Sequence, residues 1–281
     1  MPKLHFSPIL LVGLLVVLAG GVVAYSMQSK DGDNSSTEST IAQATPTTTP
    51  TATPTTSPTP TATSTVAASK PTIKHIGINL DYYDSKTNMA GDLRFTKSTF
   101  ASSMQMLFSE FGYEIPGNSA TGGIAKRNVQ PTFIAPLGTK VHSLVDGVVV
   151  DVPKLYSNDY SVMVRAEGSN LVFETEHVIN VVVKKGDVLK AGQVVAEVSN
   201  YDAKNYAGLG LVEIGILDGG SGGMPMHLCP FSFLDDSIKD ETFKKIEDLK
   251  KSWETYKGNT AIYDEAKAVI PGCLTTDPIE G

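Results

Sequence analysis

The sequence predicts a mostly β protein. It should be an antiparallel β-sandwich or barrel, with one helix on its N-terminal side and a helical appendage at its C-terminal end. Three observations carry this. Between residues 132 and 217 the chain is a series of short, valine-rich runs separated by glycine-containing turns, the pattern of short antiparallel strands. Over residues 96–111 the apolar side chains Phe100, Met104, Leu107, Phe108 and Phe111 recur at helical spacing. After Asp235 the spacing turns helical again, with Phe243, Ile246, Leu249 and Trp253 on one stripe.

The chain has 281 residues and a formal net charge of −7. This acidic balance argues against nucleic acid as a partner and against electrostatic docking on anionic lipid. Residues 1–30 carry an uncharged apolar run, counted generously from Phe6 to Met27. That is just enough to cross a bilayer core, which needs about 20 residues. Lys3 and the α-amine precede the run, while Asp31 and Asp33 follow Lys30 after it, which is read as placing the N-terminus inside and the rest outside. A cleaved signal peptide, cut after Ala24, is the other reading. Either way the chain that follows is extracytoplasmic.

Residues 31–70 are dominated by Ser, Thr, Pro and Ala, with Thr-Pro repeats. Too little apolar surface is present there to offset the entropy of ordering, so this is a disordered stalk. Its hydroxyls and the sequon Asn34-Ser35-Ser36 suit glycosylation, although a bare spacer would look the same.

Residues 71–127 form an N-terminal extension of the folded domain. A strand is expected over 73–80, the helix over 96–111 closed by Gly112, and a loop over 116–123. Strands follow at 141–144, 147–152, 161–166, 171–176, 194–198 and 209–217. The appendage, residues 235–281, should hold a helix over 240–256, a break at Gly258 and a shorter helix over 261–269. Cys229 and Cys273 are the two cysteines. Outside the cell such a pair usually bridges, pinning the tail to the end of the β-domain. A reactive thiol has little support, since only His227 lies near either cysteine.

Two stretches carry a resemblance. One is Ala135-Pro-Leu-Gly-Thr-Lys-Val-His-Ser-Leu-Val-Asp-Gly-Val-Val-Val150; the other is Val183-Lys-Lys-Gly-Asp-Val-Leu-Lys-Ala-Gly-Gln-Val-Val-Ala-Glu197. Such paired turn-and-strand elements are the duplicated hybrid motif. The Glu174-Thr-Glu-His177 segment between them, and the absence of a Met-Lys-Met hairpin, favour the LytM/lysostaphin-type endopeptidases over biotinyl carriers. The resemblance covers residues 128–234, ending on Cys229-Pro-Phe-Ser-Phe-Leu234.

Active members of that family hold one zinc ion with two His and one Asp, and two further His assist. Carried over residue by residue, the resemblance places Asn128 and Thr132 at the first ligand pair. Leu211 falls at the third ligand, and Leu209 at a catalytic His. His177 alone survives of the five. Strand alternation puts Leu209, Leu211 and Glu213 on one face. The expected binding groove is therefore Asn128, Thr132, His177, Leu209, Leu211 and Glu213. No catalytic residue stands out, with His177 and Glu213 as candidates, and no cofactor is expected. His177 can equally be a structural residue bonded inside the sheet.

A variant zinc site is the alternative. His75-Ile-Gly-Ile-Asn79 resembles a metal-entry motif with Asn for Asp. Such a site would use His75, His177 and carboxylates such as Asp81, Glu176 or Glu213. Three functions follow: a membrane-anchored, non-catalytic module binding a cell-envelope polymer or an envelope protein; a zinc endopeptidase acting on wall peptides through displaced ligands; or a structural surface domain on a stalk.

Overall fold

The computed structural model describes residues 71–281, apart from 103, 118–121 and 220–223. The expected membrane anchor or signal peptide and the expected stalk lie outside the described residues. Among the described residues, no helix is long and apolar enough to cross a membrane.

Among the described residues, fifteen strands run in chain order: β1 Met89–Ala90, β2 Leu93–Arg94, β3 Phe108–Ser109, β4 Glu114–Ile115, β5 Lys126–Arg127, β6 Thr132–Ala135, β7 Lys140–His142, β8 Gly147–Asp151, β9 Tyr160–Ala166, β10 Val172–Ile179, β11 Val188–Leu189, β12 Val194–Val198, β13 Gly210–Asp218, β14 Met226–His227 and β15 Ile279–Glu280. β1 pairs with β2 and β4 with β5 in two small hairpins. The other eleven form one antiparallel sheet with the path β11-β8-β9-β10-β13-β14-β15. From it β12 and β7 branch off β10, and β6 and β3 branch off β13. The sheet does not close into a barrel. The mostly antiparallel β expectation holds, and the six expected strands are found with ends shifted by a few residues.

The two motif stretches fold as their turn residues require. Gly186 has φ +93, and the Asp187 carboxylate accepts from the Lys184 N–H at 2.9 Å, so the Gly-Asp pair closes the turn into β11. Asp146 Oδ1 in turn accepts from Ala191 N–H at 3.1 Å, tying the turn of one stretch to the turn of the other. Gly147 must be glycine for another reason: a Cβ there would stand 2.4 Å from the Arg165 carbonyl oxygen. That close approach lets β8 pair with β9.

Three expectations are corrected. The described residues of 96–111 form no helix. Their apolar residues Phe100, Met106, Leu107, Phe108 and Phe111 are buried, but hydroxyls intercept the backbone: Ser98 N–H donates to Thr96 Oγ1 and Met104 N–H to Ser102 Oγ. The segment's end is then captured by the sheet, where Leu107 O accepts from Ile134 N–H and β3 pairs with β6. Residues 73–80 form no strand beyond the single bridge of Ile73 to Leu234. A turn at Gly77, φ +85, breaks the run, and Ile73, Ile76, Ile78 and Leu80 all plug the core. The second C-terminal helix is reduced to a 3-10 turn, Glu265–Lys267. Glu254 Oε1 takes the N–H groups of both Ile262 and Tyr263, which diverts the residues that would have started it.

One α-helix is present among the described residues, α1 at Asp236–Lys257. Asp235 caps its start by accepting from Ser237 N–H, and Gly258 in the left-handed conformation ends it. Thr242, Ile246, Leu249, Lys250 and Trp253 form its buried stripe. Trp253 is fully buried, stands edge-on to Phe95 at 5.2 Å and donates from Nε1 to Gln105 O at 2.8 Å. Lys250 and Glu110 form a buried ion pair at 2.7 Å. Cys229 and Cys273 are disulfide-bonded, as expected, with Cα atoms 6.3 Å apart.

Candidate functional site

A groove of about 940 Å³ runs along the sheet over β10 and β13. Its floor is a row set by register: Glu176 lies opposite Glu213, Glu213 opposite Thr132, and Thr132 opposite Ser109. Adjacent residues of a strand normally face opposite ways, yet Glu176 and His177 both line this groove. A β-bulge is the reason. Thr175 pairs with Val162 and Val178 with Tyr160, so two residues of β10 oppose one of β9. His177 itself has φ +55, a left-handed conformation uncommon for a residue with a side chain. At the same point β10 leaves β13 and takes up β12, with Val178 opposite Val198. The bulge and the change of partner turn the imidazole into the groove.

His177 is held from behind. Its Nδ1 donates to Asp159 Oδ2 at 2.9 Å, and Ser157 Oγ lies 3.4 Å from the same nitrogen. Tyr201 stacks on the ring at 4.6 Å with planes 5° apart, and Tyr156 closes edge-on. The Tyr156 and Tyr201 hydroxyls are 3.2 Å apart. Burial disfavours the imidazolium, but the Asp159 hydrogen bond and the charges of Glu213, Asp159 and Glu176 prevail and raise the pKa to about 9. Burial also works against the charge of Asp159, but its hydrogen bonds to His177, Ser157 and Ser199 keep its pKa low.

The carboxylates form a ladder. Gln130 Nε2 donates to Glu174 Oε1 at 2.7 Å and to Glu176 Oε2 at 2.8 Å. Ser161 Oγ donates to Glu174 Oε2 at 3.3 Å. The single hydroxyl proton of Thr132 is shared between Gln130 O and Glu213 Oε1, each 3.2 Å from Oγ1. Glu174 is fully enclosed, and Gly215 opposite it leaves the room: a Cβ there would stand 2.6 Å from Glu174 Oε1. Burial, then the charge of Glu176, pushes the Glu174 pKa well up. Burial, then the charge of Glu213, raises that of Glu176.

Of the residues the sequence singled out, Asn128, Thr132, His177, Leu211 and Glu213 line the groove. The Asn128 amide is committed to the Ser109 hydroxyl and the Glu110 carbonyl, both at 3.1 Å. Leu209 instead lies in the core at 1 % exposure, because β13 begins only at Gly210. His75 sits elsewhere: its ring packs on His142 at 4.7 Å, and its Nδ1 accepts from Gly77 N–H. Asp81 pairs with Lys245. The potential metal donors brought together are Glu176, His177 and Glu213, with one donor atom from each within 4.8 Å of the others. Sequence reasoning missed Asp159, Gln130, Tyr156 and Tyr201. The Glu-x-Glu alternation of 174–176 was a readable signal for two carboxylates on one face; the others are brought in by long-range pairing.

Residues 131–212 match the model of peptidase family M23. Among solved structures, the chain is similar to the catalytic domain of the prophage-encoded M23 protein EnpA from Enterococcus faecalis. Identity is 24%, coverage 47% of this chain and 96% of that one, and the TM-score 0.33. It is also similar to the catalytic domain of lysostaphin from Staphylococcus simulans, at 16% identity, 44% and 88% coverage and TM-score 0.34. A third similar structure is a SpoIIIAH and SpoIIQ complex, at 17% identity, 49% and 98% coverage and TM-score 0.33. No curated protein sequence matches the chain.

Proposed function

We propose that this domain is a non-catalytic binding module. Its groove holds an extended segment of an envelope polymer or of a partner protein, and the N-terminal segment tethers it to the outer side of a membrane. One observation carries the reading. At the three positions where the M23 resemblance expects zinc ligands stand Asn128, Thr132 and Leu211. The Asn128 amide and the Thr132 hydroxyl both act as hydrogen-bond donors to neighbouring oxygens, and Leu211 has no lone pair to offer. This set does not fit a zinc ion at that place, so no hydrolytic step is derived through one.

What remains suits binding. The groove carries Glu176, Glu213 and Asp202 on one part of its lining and Lys126 and Arg127 on another, with Tyr156, Tyr201 and Tyr206 as aromatic walls. Tyrosine faces give contact area at low entropic cost, and carboxylates beside them favour amines and amides of a peptide. The apolar run and the Thr-Pro segment of residues 1–70 support a tether and spacer on the extracytoplasmic side.

The test is to incubate the purified chain with wall-peptide fragments, following binding by calorimetry and integrity by mass spectrometry. Saturable binding of intact fragments, weakened by Tyr201→Ala, is expected. Cleavage lost in Glu213→Ala or His177→Ala would overturn the reading and favour an endopeptidase with displaced ligands, which the convergence of Glu176, His177 and Glu213 makes the second reading.

A further inference from the structure

We propose that Glu176, His177 and Glu213 bind one divalent transition-metal ion of the zinc class, at a place in the groove displaced from the M23 ligand positions. The inference is independent of whether the groove cuts or only holds its ligand.

Three features converge. The first is the donor set, one imidazole and two carboxylates with donor atoms within 4.8 Å of one another. Nitrogen and oxygen donors of this kind suit zinc and its neighbours, and rotation of the two glutamate side chains must close the set by more than about 1 Å to reach the ~2.0–2.2 Å bonds of such an ion. The second is how each donor is held. Asp159 takes the Nδ1 proton of His177, Gln130 donates to Glu176 Oε2, and Thr132 shares its hydroxyl proton between Gln130 O and Glu213 Oε1. Each partner uses one atom and leaves the other: Nε2 of the imidazole and the second oxygen of each carboxylate. A carboxylate–imidazole pair behind the metal-facing nitrogen is the usual outer support of a metal ligand. His177 is only 5 % exposed, and among the described residues both of its ring hydrogen-bond contacts fall on Nδ1. Its Nε2 is thus left for the groove.

The third feature is charge. Register places Glu176 directly across from Glu213, and like charges at opposed positions of an antiparallel pair destabilise it. Glu174 stands two residues along on the same face, and Asp159 behind the imidazole. Of the side chains in this cluster only the imidazole can carry positive charge, and Asp159 already engages it. A divalent ion between the two opposed carboxylates removes the conflict. Three protein donors leave at least one coordination position facing the groove, open to water or to a carboxylate of the bound segment.

The experiment uses the full chain without a polyhistidine tag, stripped by chelator and dialysed, then titrated with zinc chloride by calorimetry with elemental analysis of the product. One ion per chain is expected. Cobalt(II) should give a visible absorption band of the same stoichiometry, displaced by zinc. Glu176→Gln and Glu213→Gln should each weaken binding by on the order of 100-fold, and Asp159→Asn and Thr132→Val by about 10–100-fold. The Gln exchanges keep volume and remove charge, so circular dichroism should show them folded; if one is not, Thr132→Val carries the comparison. Absence of a stoichiometric ion, or unchanged affinity in the folded variants, overturns the proposal and leaves a shared proton to relieve the opposed glutamates. Hydrolysis of peptides by the zinc-loaded chain would sink the binding-only function while leaving the metal site standing.

Discussion

Cutting the Cys229–Cys273 bridge should cost about 4 kcal/mol. The cysteines are 44 residues apart, and the loop-closure entropy removed from the unfolded chain by a bridge of that span is about 13 cal/mol/K, or about 4 kcal/mol at 25 °C. The native geometry should survive the cut, because backbone bonds hold the same place. Cys273 N–H donates to Ile270 O, Val269 N–H to Cys273 O and Leu274 N–H to Phe111 O, each at 2.9 Å. The loss therefore falls on the unfolded state. The double exchange Cys229→Ala with Cys273→Ala, followed by urea denaturation, should lower the extrapolated stability by about 4 kcal/mol. The corresponding fall in Tm is about 8–16 °C for a domain of this size. Reduction of the unaltered protein should reproduce most of it. The groove should feel the change too, since the tail strand β15 pairs with β14 and lines the groove. A loss below about 1 kcal/mol with the bridge absent would refute the reasoning, because it would mean that the tail does not constrain the unfolded chain.

Lys250→Met should cost about 3–5 kcal/mol at pH 7, since it strands a buried Glu110. The Glu110 pKa is already raised by burial against the pull of Lys250. A raised carboxyl loses its stabilising contribution as pH rises from its unfolded value through its folded one. The variant's deficit should therefore shrink towards pH 4, and a pH-independent deficit by denaturant titration would contradict this. Trp253→Ala should cost about 3–5 kcal/mol and loosen the end of α1, read by the same titration and by hydrogen exchange. Gly215→Ala should drive a methyl against Glu174 and cost about 1–3 kcal/mol, while Gly219→Ala, which meets nothing within 4 Å among the described residues, should be near neutral. Leu211→Ser should weaken capture of a groove ligand and also destabilise the fold, because Leu211 both lines the groove and belongs to the buried core, measured by calorimetry and denaturant titration. Leu209→Ser should destabilise too, because Leu209 is fully in the core.

How much could be read from the sequence depended on the range of the forces involved. Strands β7 to β10, β12 and β13 were legible because turn chemistry and alternation act within a few residues: Gly186-Asp187 closes its turn by its own side chain. Helix α1 was legible because its cap residue, its stripe and its terminating glycine all lie inside one segment. Residues 96–111 misled because their apolar spacing is real but serves a different purpose. It fills the space under Trp253 and along β6, and hydroxyl groups hold the backbone out of the helix that the spacing alone would allow. The resemblance read from the sequence named residues that line the groove, Asn128, Thr132, His177, Leu211 and Glu213, but not Asp159, Gln130, Tyr156 or Tyr201.

The contents turn on a single irregularity. A regular β10 would face Glu174 and Glu176 into the groove and His177 into the core, and the imidazole would then be the structural residue that one reading of the sequence allowed. The extra residue between Thr175 and Val178 reverses this. It needs His177 in the left-handed region, a conformation that costs about 1–3 kcal/mol for a residue with a side chain. What offsets that cost is visible: the Asp159 hydrogen bond, the Tyr201 stack and the Ser199 N–H, which donates to the His177 carbonyl at 3.1 Å. All three partners come from other parts of the chain, so no local pattern could announce them. Strain of this kind persists only where surrounding structure over-determines it. Here it converts a strand of alternating acids into a site where an imidazole and two carboxylates face one another.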